Sequence, residues 1–425
     1  MPTLRIRLER GAPAVKRSVD RPPYRVPSMA EIAALPPNGF RVVSTFSGCG
    51  GSCLGFRLAG FTIAWASEFI EAARRSYLAN APTTPLDARD IRDVQPGDIL
   101  AATGLAVGEI DVLEGSPPCS SFSMAGKRSA GWGKARSYSG TVQRTDDLFY
   151  EFARLLRGVQ PRVFVAENVA GLTRGVAVGY FREILAALRE TGYVVGARIL
   201  DAQWLGVPQT RQRLILVGVR NDLGLQPAFP RPLPYRYTLA DACPWLARAR
   251  VVRSNGREKG QAVGGPGEPV PCVLADAESI GGAFGGARVH VEGGVQPPTA
   301  EELEAASMER YAVGAEWRKL RPGEQSAKYF NAQRTHPDRP CPTYTAAAAH
   351  TTAASVMHPH ECRKFVTAEL LRICGFPDDF RLEGTYAERW ERLGRAVPPP
   401  MMAAVAAVVR DEILARIRAD ERRTA

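Results

Sequence analysis

A thiol, several carboxyls and a pair of guanidiniums lie where strand-like runs give way to loops, and these are the side chains best placed for chemistry. Cys119 sits in GSPPCSSFS (115–123), directly after the apolar run IDVLEG. Two prolines stiffen the backbone before it and remove donors, so the sulfur is presented from an extended segment; the other role of a free cysteine is that of a small buried hydrophobe. Glu167 and Asn168 follow in AENVAG (166–171), at the end of another apolar run. A carboxyl and a thiol at neighbouring strand ends form an acid and nucleophile pair, although a carboxylate at a helix start is also favoured by the helix dipole. In VPQTRQRL (207–214), Gln209, Arg211 and Arg213 alternate on one face of an entering strand. Buried guanidiniums there require an anion, a carbonyl or an internal salt bridge. A fourth segment, TFSGCGG (45–51), leads to Glu68 at the end of the next run. Glycines let a ligand approach the backbone, and a carboxylate about twenty residues on grips both ribose hydroxyls, an adenosine-type arrangement; the same glycines also serve simply to reverse a chain. Asp90, in ARDIR, either bonds an adenine amino group or caps a turn.

These groups need a scaffold, and the intervening sequence describes one. From Arg41 short apolar or β-branched runs (RVVSTF, TIAWASE, IDVLEGSPP, RVFVAENV, VVGARILDA, RLILVGV) alternate with helix-like segments. That alternation specifies βαβ units, hence an α/β fold with a mostly parallel sheet covered on both faces and ligands at the carboxyl ends of its strands. Helical spacing predicts covering helices over Leu148–Leu156 and Tyr180–Thr191. Residues 1–38, rich in Arg and Pro, predict a mobile or loosely docked arm, and 39–220 the sheet-based domain. The Pro- and Gly-rich interval 221–362 predicts a second, irregular domain. From 363 a helical pattern resumes, with Thr367 as the expected N-cap and an amphipathic helix from about Pro399 to Arg418.

The chain has 425 residues, 45% of them hydrophobic and 23% charged, a composition for packed domains rather than disorder. Lys and Arg number 55 against 44 Asp and Glu; the resulting net charge of +11 favours polyanionic partners, nucleic acid before membrane surface. No apolar run approaches the ~18 residues of a membrane span, and the first residues lack a signal-peptide pattern, so the cytoplasm is the expected location. Eight cysteines without a CxxC pair disfavour a disulfide scaffold or zinc ribbon. His358, His360 and Cys362 match no common zinc spacing, and no metal is expected.

Taken in order, TFSGCGG, Glu68, Asp90-Ile91, PPCSSFS, Glu167-Asn168-Val169, QTRQR (209–213), RKFVTAELLRICGFPDDF and LGRAVPPPM resemble the motif series of the DNA cytosine-5 methyltransferases, over about residues 41–220 and 363–405. The resemblance implies a Rossmann-like class I methyltransferase core with a seven-stranded sheet and, over 221–362, a smaller target-recognition domain. It implies methyl transfer from S-adenosyl-L-methionine to C5 of a cytosine flipped out of double-stranded DNA, through a covalent adduct between Cys119 and C6. Glu167 would contact N3 and the exocyclic amine, Arg213 the O2 atom, with Arg211 in support. The donor contacts carried over are Phe46, Gly48, Gly51, Glu68, Asp90, Ile91, Pro118 and Leu148. A loop after Cys119 carrying Lys127, Arg128, Lys134, Arg136 and Arg144 is expected to close over DNA, and Lys328, Tyr329, Phe330, Arg334 and Tyr344 are candidates for reading base edges. A companion restriction endonuclease, a monomer on DNA and a place at the nucleoid complete the implied setting.

Two positions depart from that pattern. Ser120 stands where the family often has Gln, and Arg395 where it usually has Asn. A cation near a sulfonium donor must find an anion: a neighbouring Asp or Glu, a DNA phosphate, or the carboxyl group of carboxy-S-adenosyl-L-methionine, which would make the enzyme a cytosine carboxymethyltransferase. The remaining alternatives are a tRNA cytosine-5 methyltransferase on the same scaffold and a non-catalytic DNA-binding module.

Overall fold

A computed structural model describes residues 21–118, 136–138, 141–143, 147–175, 177–246, 273–274, 288–289, 298–329, 331–349 and 355–424. The six apolar runs form strands, joined by one short edge strand: β1 (Arg41–Thr45), β2 (Thr62–Ser67), β3 (Leu86–Asp87), β4 (Val112–Gly115), β5 (Val163–Val169), β6 (Tyr193–Asp201) and β7 (Gln212–Arg220). They make one sheet in the order β3-β2-β1-β4-β5-β7-β6. The first five are parallel, and β7 runs antiparallel between β5 and β6. This is the mostly parallel sheet expected from the pattern, with the seven strands and the Rossmann-like core that the resemblance implies.

Strand segments buried on both faces read as continuous apolar runs rather than alternating ones, as residues 163–166 of β5 and 214–219 of β7 do. On one face Val42, Val112, Val163, Val165, Ile215 and Val217 pack against α1 (Gly51–Leu58), α2 (Glu71–Asn80) and the C-terminal helix. On the other, Val43, Leu113, Phe164, Leu214 and Leu216 meet α3 (Pro96–Thr103), α4 (Leu148–Val159) and α5 (Ala177–Glu190). Leu148, Phe149, Phe152, Leu155, Leu156 and Val159 place the buried stripe of α4 at helical spacing.

The 363–425 segment divides its packing. Helices α6 (Thr367–Cys374) and α7 (Tyr386–Arg395) share a core with Leu239, Cys243, Cys341, Tyr344 and Val356 of the irregular region. Helix α8 (Pro399–Val408) returns to the sheet, and the chain continues helically through a wider π-turned stretch to Thr424. Its apolar residues Met401, Met402, Val405, Val409 and Ile413 complete the first face. Helices α1 and α8 meet at Gly55, where an added Cβ would stand 2.5 Å from Met402 Cβ and 2.8 Å from the Pro399 carbonyl. Both neighbours are locked in a helix, so Gly55→Ala is expected to destabilise the protein by about 1–3 kcal/mol in denaturant unfolding.

Two expectations are corrected. The described part of the arm is docked, not loose: the Tyr24 hydroxyl donates to the Arg372 carbonyl at 2.7 Å, the Tyr237 hydroxyl to the Pro22 carbonyl at 3.0 Å, and Arg21 pairs with Asp241. An aromatic ring with a polar tip fastens a proline-rich strand that has no core of its own. Thr367 is the first helical residue rather than the cap. The N-cap is Val366, whose N–H is accepted by Glu369, while the Thr367 N–H and hydroxyl both go to Glu302. Among the described residues no helix is long and apolar enough to cross a membrane.

Candidate active site

The carboxyl edge of the sheet opens into a cleft of about 1170 Å³, closed on its far side by the irregular region and by residues 391–397. Of the expected site residues, Phe46, Gly48, Gly51, Glu68, Asp90, Ile91, Pro118, Leu148, Glu167, Arg213 and Arg395 all line it. Cys119, Lys127, Arg128, Lys134 and Arg144 lie outside the described residues, and Arg136 is described only as backbone of the Arg136–Tyr138 strand.

The turn after β1 is the most constrained backbone at the cleft. Phe46 has φ +54°, a left-handed conformation that a bulky residue adopts only when its surroundings enforce it. Gly48 has φ +58°, and a Cβ there would meet nothing within 4 Å, which leaves its backbone open for close approach by a ligand. Glu68 ties this turn to β2: one carboxylate oxygen accepts the Gly48 N–H and the other the Ile70 N–H, both at 2.7 Å. Burial pushes its pKa up, and the two N–H donors with the nearby Arg392 offset part of that shift. Each oxygen keeps a lone pair for a hydroxyl, so the turn and Glu68 fit the sugar and amino-acid ends of a nucleoside donor such as S-adenosyl-L-methionine. Asp90, beside the same cleft, is bridged by Arg92 to Asp147 at the start of α4.

Across the cleft Glu167 and Arg213 form a largely buried ion pair, Nε to Oε1 at 2.7 Å. Strand register explains it. Glu167 lies opposite Ile215 in the antiparallel β5/β7 ladder, so Arg213, two residues along, emerges on the same face. Burial raises the Glu167 pKa above the ordinary carboxyl value despite the two arginines and a hydrogen bond from Ser116, and burial lowers that of Arg213 to about 10. A carboxyl tuned upward keeps its proton to higher pH than an ordinary one, as suits a general acid. Arg211 is not in the cleft. It is fully buried behind it, where one nitrogen donates to the carbonyls of Gly394 and Ala396 at 2.8 Å and so fastens the strand to the α7–α8 junction.

Asn168, buried next to Glu167, donates from Nδ2 to the Pro117 carbonyl at 2.9 Å. It therefore sets the path of the chain two residues before Cys119. Asn168→Ala should cut single-turnover methylation about tenfold while donor affinity, measured by calorimetry, stays unchanged, because the misplacement is confined to the nucleophile segment.

Sequence reasoning missed Arg392 and Glu114. Arg392 is buried at the cleft and paired with Glu391 at 3.0 Å; in the sequence it is one of several arginines on a helix rich in charge. Arg395 also pairs with Glu391, at 2.8 Å, so the cation read as a possible partner for a donor carboxyl meets a carboxylate one helical turn away. Two candidate base readers are corrected. Tyr344 is fully buried, with its hydroxyl on the Leu370 carbonyl, and the Arg334 guanidinium lies 3.8 Å over the Trp317 ring while donating to the carbonyls of Pro359 and Leu320. The Tyr344 hydroxyl and two nitrogens of Arg334 thus donate inside the protein. Lys328 and Tyr329 lie together with the ammonium 5.2 Å from the ring, and Phe330 is outside the described residues. His358, the first residue of the HPHEC cluster, is buried with Nε2 3.5 Å from Glu369.

Comparison with known proteins places this arrangement among enzymes of one kind. The family profile described as C-5 cytosine-specific DNA methylase matches residues 40–259 and 286–410. The Type II methyltransferase M.NgoPII of Neisseria gonorrhoeae is 27% identical over 88% of this chain and 96% of its own length. M.Eco47II of Escherichia coli is 30% identical over 87% of this chain and 78% of its own. Among solved structures, a putative DNA modification methyltransferase encoded within an Escherichia coli prophage aligns with a TM-score of 0.60 and 21% identity, over 88% of this chain and 99% of that one. The Dnmt2 methyltransferase of S. pombe aligns at 0.52 with 17% identity, over 88% and 99%; both share the fold.

Proposed function

This chain belongs to the C-5 cytosine-specific DNA methylase family, and from that premise we propose how its own residues carry out S-adenosyl-L-methionine-dependent methylation of cytosine in duplex DNA. The observation that carries the reading is the Glu167–Arg213 pair, buried at the rim two strand ends from the donor turn and on the strand adjoining the Cys119 segment. When bound, the donor supplies an electrophilic methyl group on a sulfonium centre.

C5 of cytosine is too weak a nucleophile to take that methyl unaided. The Cys119 thiolate adds to C6; the electron pair of the C5–C6 bond then becomes available at C5, and a proton from Glu167 at N3 keeps the ring from accumulating negative charge. Arg213 holds O2 and keeps the Glu167 carboxyl aimed at the ring edge. After methyl transfer a base removes the C5 proton, the C5–C6 double bond reforms and the Cys119 sulfur leaves. C6 is out of reach within the stack, so the cytosine swings out of the duplex at a cost of a few kcal/mol. Lys127, Arg128, Lys134, Arg136 and Arg144 offset that cost by phosphate contacts from the segment after the nucleophile.

The transferred group is methyl: the Arg395 guanidinium is matched by Glu391, so no carboxyl on the donor is needed to neutralise it. Residues 39–220, completed by the returning segment 363–425, form the catalytic domain and 221–362 the target-recognition domain. The protein acts as a monomer on DNA in the cytoplasm, at the nucleoid; the Type II names of its relatives support a companion restriction endonuclease.

The test is covalent trapping. Duplex DNA carrying 5-fluorocytosine at the target, which has no C5 proton to lose, should form a denaturation-resistant adduct only when the donor is present. Absence of an adduct on every duplex sequence methylated in vivo, or its formation on tRNA instead, would refute the assignment.

A further inference from the structure

Beneath the donor turn lies a second carboxyl that the mechanism does not use. Glu114, 1% exposed, is on β4 in register with Ser44 of β1 and with Val165 of β5, so its side chain projects on the same face as Glu167, two residues further along β5. Its two oxygens are claimed by hydroxyls from different elements. Ser44 Oγ donates to one, and Ser52 Oγ, from the first turn of α1, donates to the other at 2.8 Å. The Ser44 hydroxyl is also 2.7 Å from that of Ser47 in the turn and accepts from Cys53 Sγ at 3.2 Å, to which the Tyr77 hydroxyl donates in turn. One acid thereby joins β1, β4, α1, α2 and the donor turn through a buried polar chain.

Ser52 and Ser47 face both ways, toward this chain and into the cleft. The carboxylate therefore stands one hydroxyl behind the wall against which the donor lies. A buried anion there acts differently on the two ligands that the site must handle, since the methyl donor is a sulfonium cation and its demethylated product a neutral thioether.

We propose that Glu114 is a positioning residue for the methyl donor, which holds the 46–52 turn in its binding shape through Ser44 and Ser52 and favours the cationic donor over the neutral product by charge. The proposal rests on the reading of this cleft as the S-adenosyl-L-methionine site. Burial, with the nearby Glu167, pushes the Glu114 pKa up to about 7, so the charge is gained as pH rises through neutrality. The titratable groups facing it are Glu167, paired with Arg213 on the sheet, and Cys53 on α1, with Tyr77 of α2 and Arg57 of α1 acting on that thiol; helix α8 contributes none.

Calorimetric titration of the full-length protein with S-adenosyl-L-methionine and with S-adenosyl-L-homocysteine, between about pH 6 and 8, tests it. The sulfonium lowers the pKa of the donor's own amine relative to that of the product, so the ratio of affinities is corrected for the titration of each free ligand, followed separately. Donor affinity should rise about tenfold across this range while product affinity stays flat. That preference should persist in Glu167→Gln and vanish in Glu114→Gln, which should bind donor about tenfold more weakly at pH 8 and product within twofold of wild type. Ser52→Ala, which removes one strut and keeps the charge, should weaken both ligands alike. A donor-to-product ratio independent of pH in the wild type overturns the proposal even should Glu114→Gln fail to fold, as does an equal loss of both ligands in that variant. Failure of the wild type to bind either ligand overturns the underlying cofactor reading instead.

Discussion

Cys119→Ser is expected to lower methylation by at least about 10³-fold and to abolish trapping on 5-fluorocytosine DNA, while donor binding and the melting temperature remain those of the wild type. A free thiol ionises near pH 8.5, so a few per cent of it is thiolate at neutral pH, whereas a serine hydroxyl is essentially never ionised there. The substitution changes one atom and leaves the volume almost intact, which separates loss of the nucleophile from loss of the fold. Product analysis by mass spectrometry of digested nucleosides supplies the rate; persistence of wild-type turnover in the variant would remove the covalent mechanism altogether.

Glu167→Gln carries the second large effect, a fall in turnover of about 10²–10⁴-fold, the range for loss of a general acid. The amide keeps the shape of the carboxyl but has no acidic proton to give to N3. The pH profile carries the sign. Because burial raises the Glu167 pKa, its protonated form survives to higher pH than an ordinary carboxyl, and activity that depends on that proton declines as pH rises through the raised value. In Glu167→Gln this decline disappears and the residual rate follows the rising ionisation of the thiol alone. The variant also leaves Arg213 without its anion in a largely buried place, at a cost in stability of about 3–5 kcal/mol. Rates must therefore be compared on protein shown to be folded at the assay temperature.

The strand-end motifs were legible because each is a contiguous run: apolar residues, then a turn, then the reactive side chain. Their convergence follows from the topology of a parallel sheet, which brings all carboxyl ends to one edge. The Glu167–Arg213 contact was not legible as a contact. It depends on β7 being inserted antiparallel between β5 and β6, and the alternation of runs cannot reveal the order of strands in space. Glu114 escaped notice for a related reason. An acid inside IDVLEG looks like the end of a strand, and the hydroxyls that satisfy it come from residues 44 and 52, on other elements. In the 221–362 interval no period links sequence to burial, so Tyr344 and Arg334 read as surface side chains although packing with Trp390 and Trp317 occupies them. The docking of Tyr24 was hidden by the arginines and prolines around it.

The seating of α8 against α1 has a consequence for biosynthesis. Residues 51–58 leave the ribosome roughly 350 positions ahead of the segment that covers them, and until Met401, Met402 and Val405 emerge this side of the nascent sheet is covered only by α1 and α2. Contacts so distant along the chain close slowly, and incompletely covered valine-rich strands invite self-association in the interval. Production of this enzyme in a cell should accordingly be limited by chaperone supply and growth temperature more than by transcript level, with yield recovering when translation is slowed or the holding capacity of the host is raised.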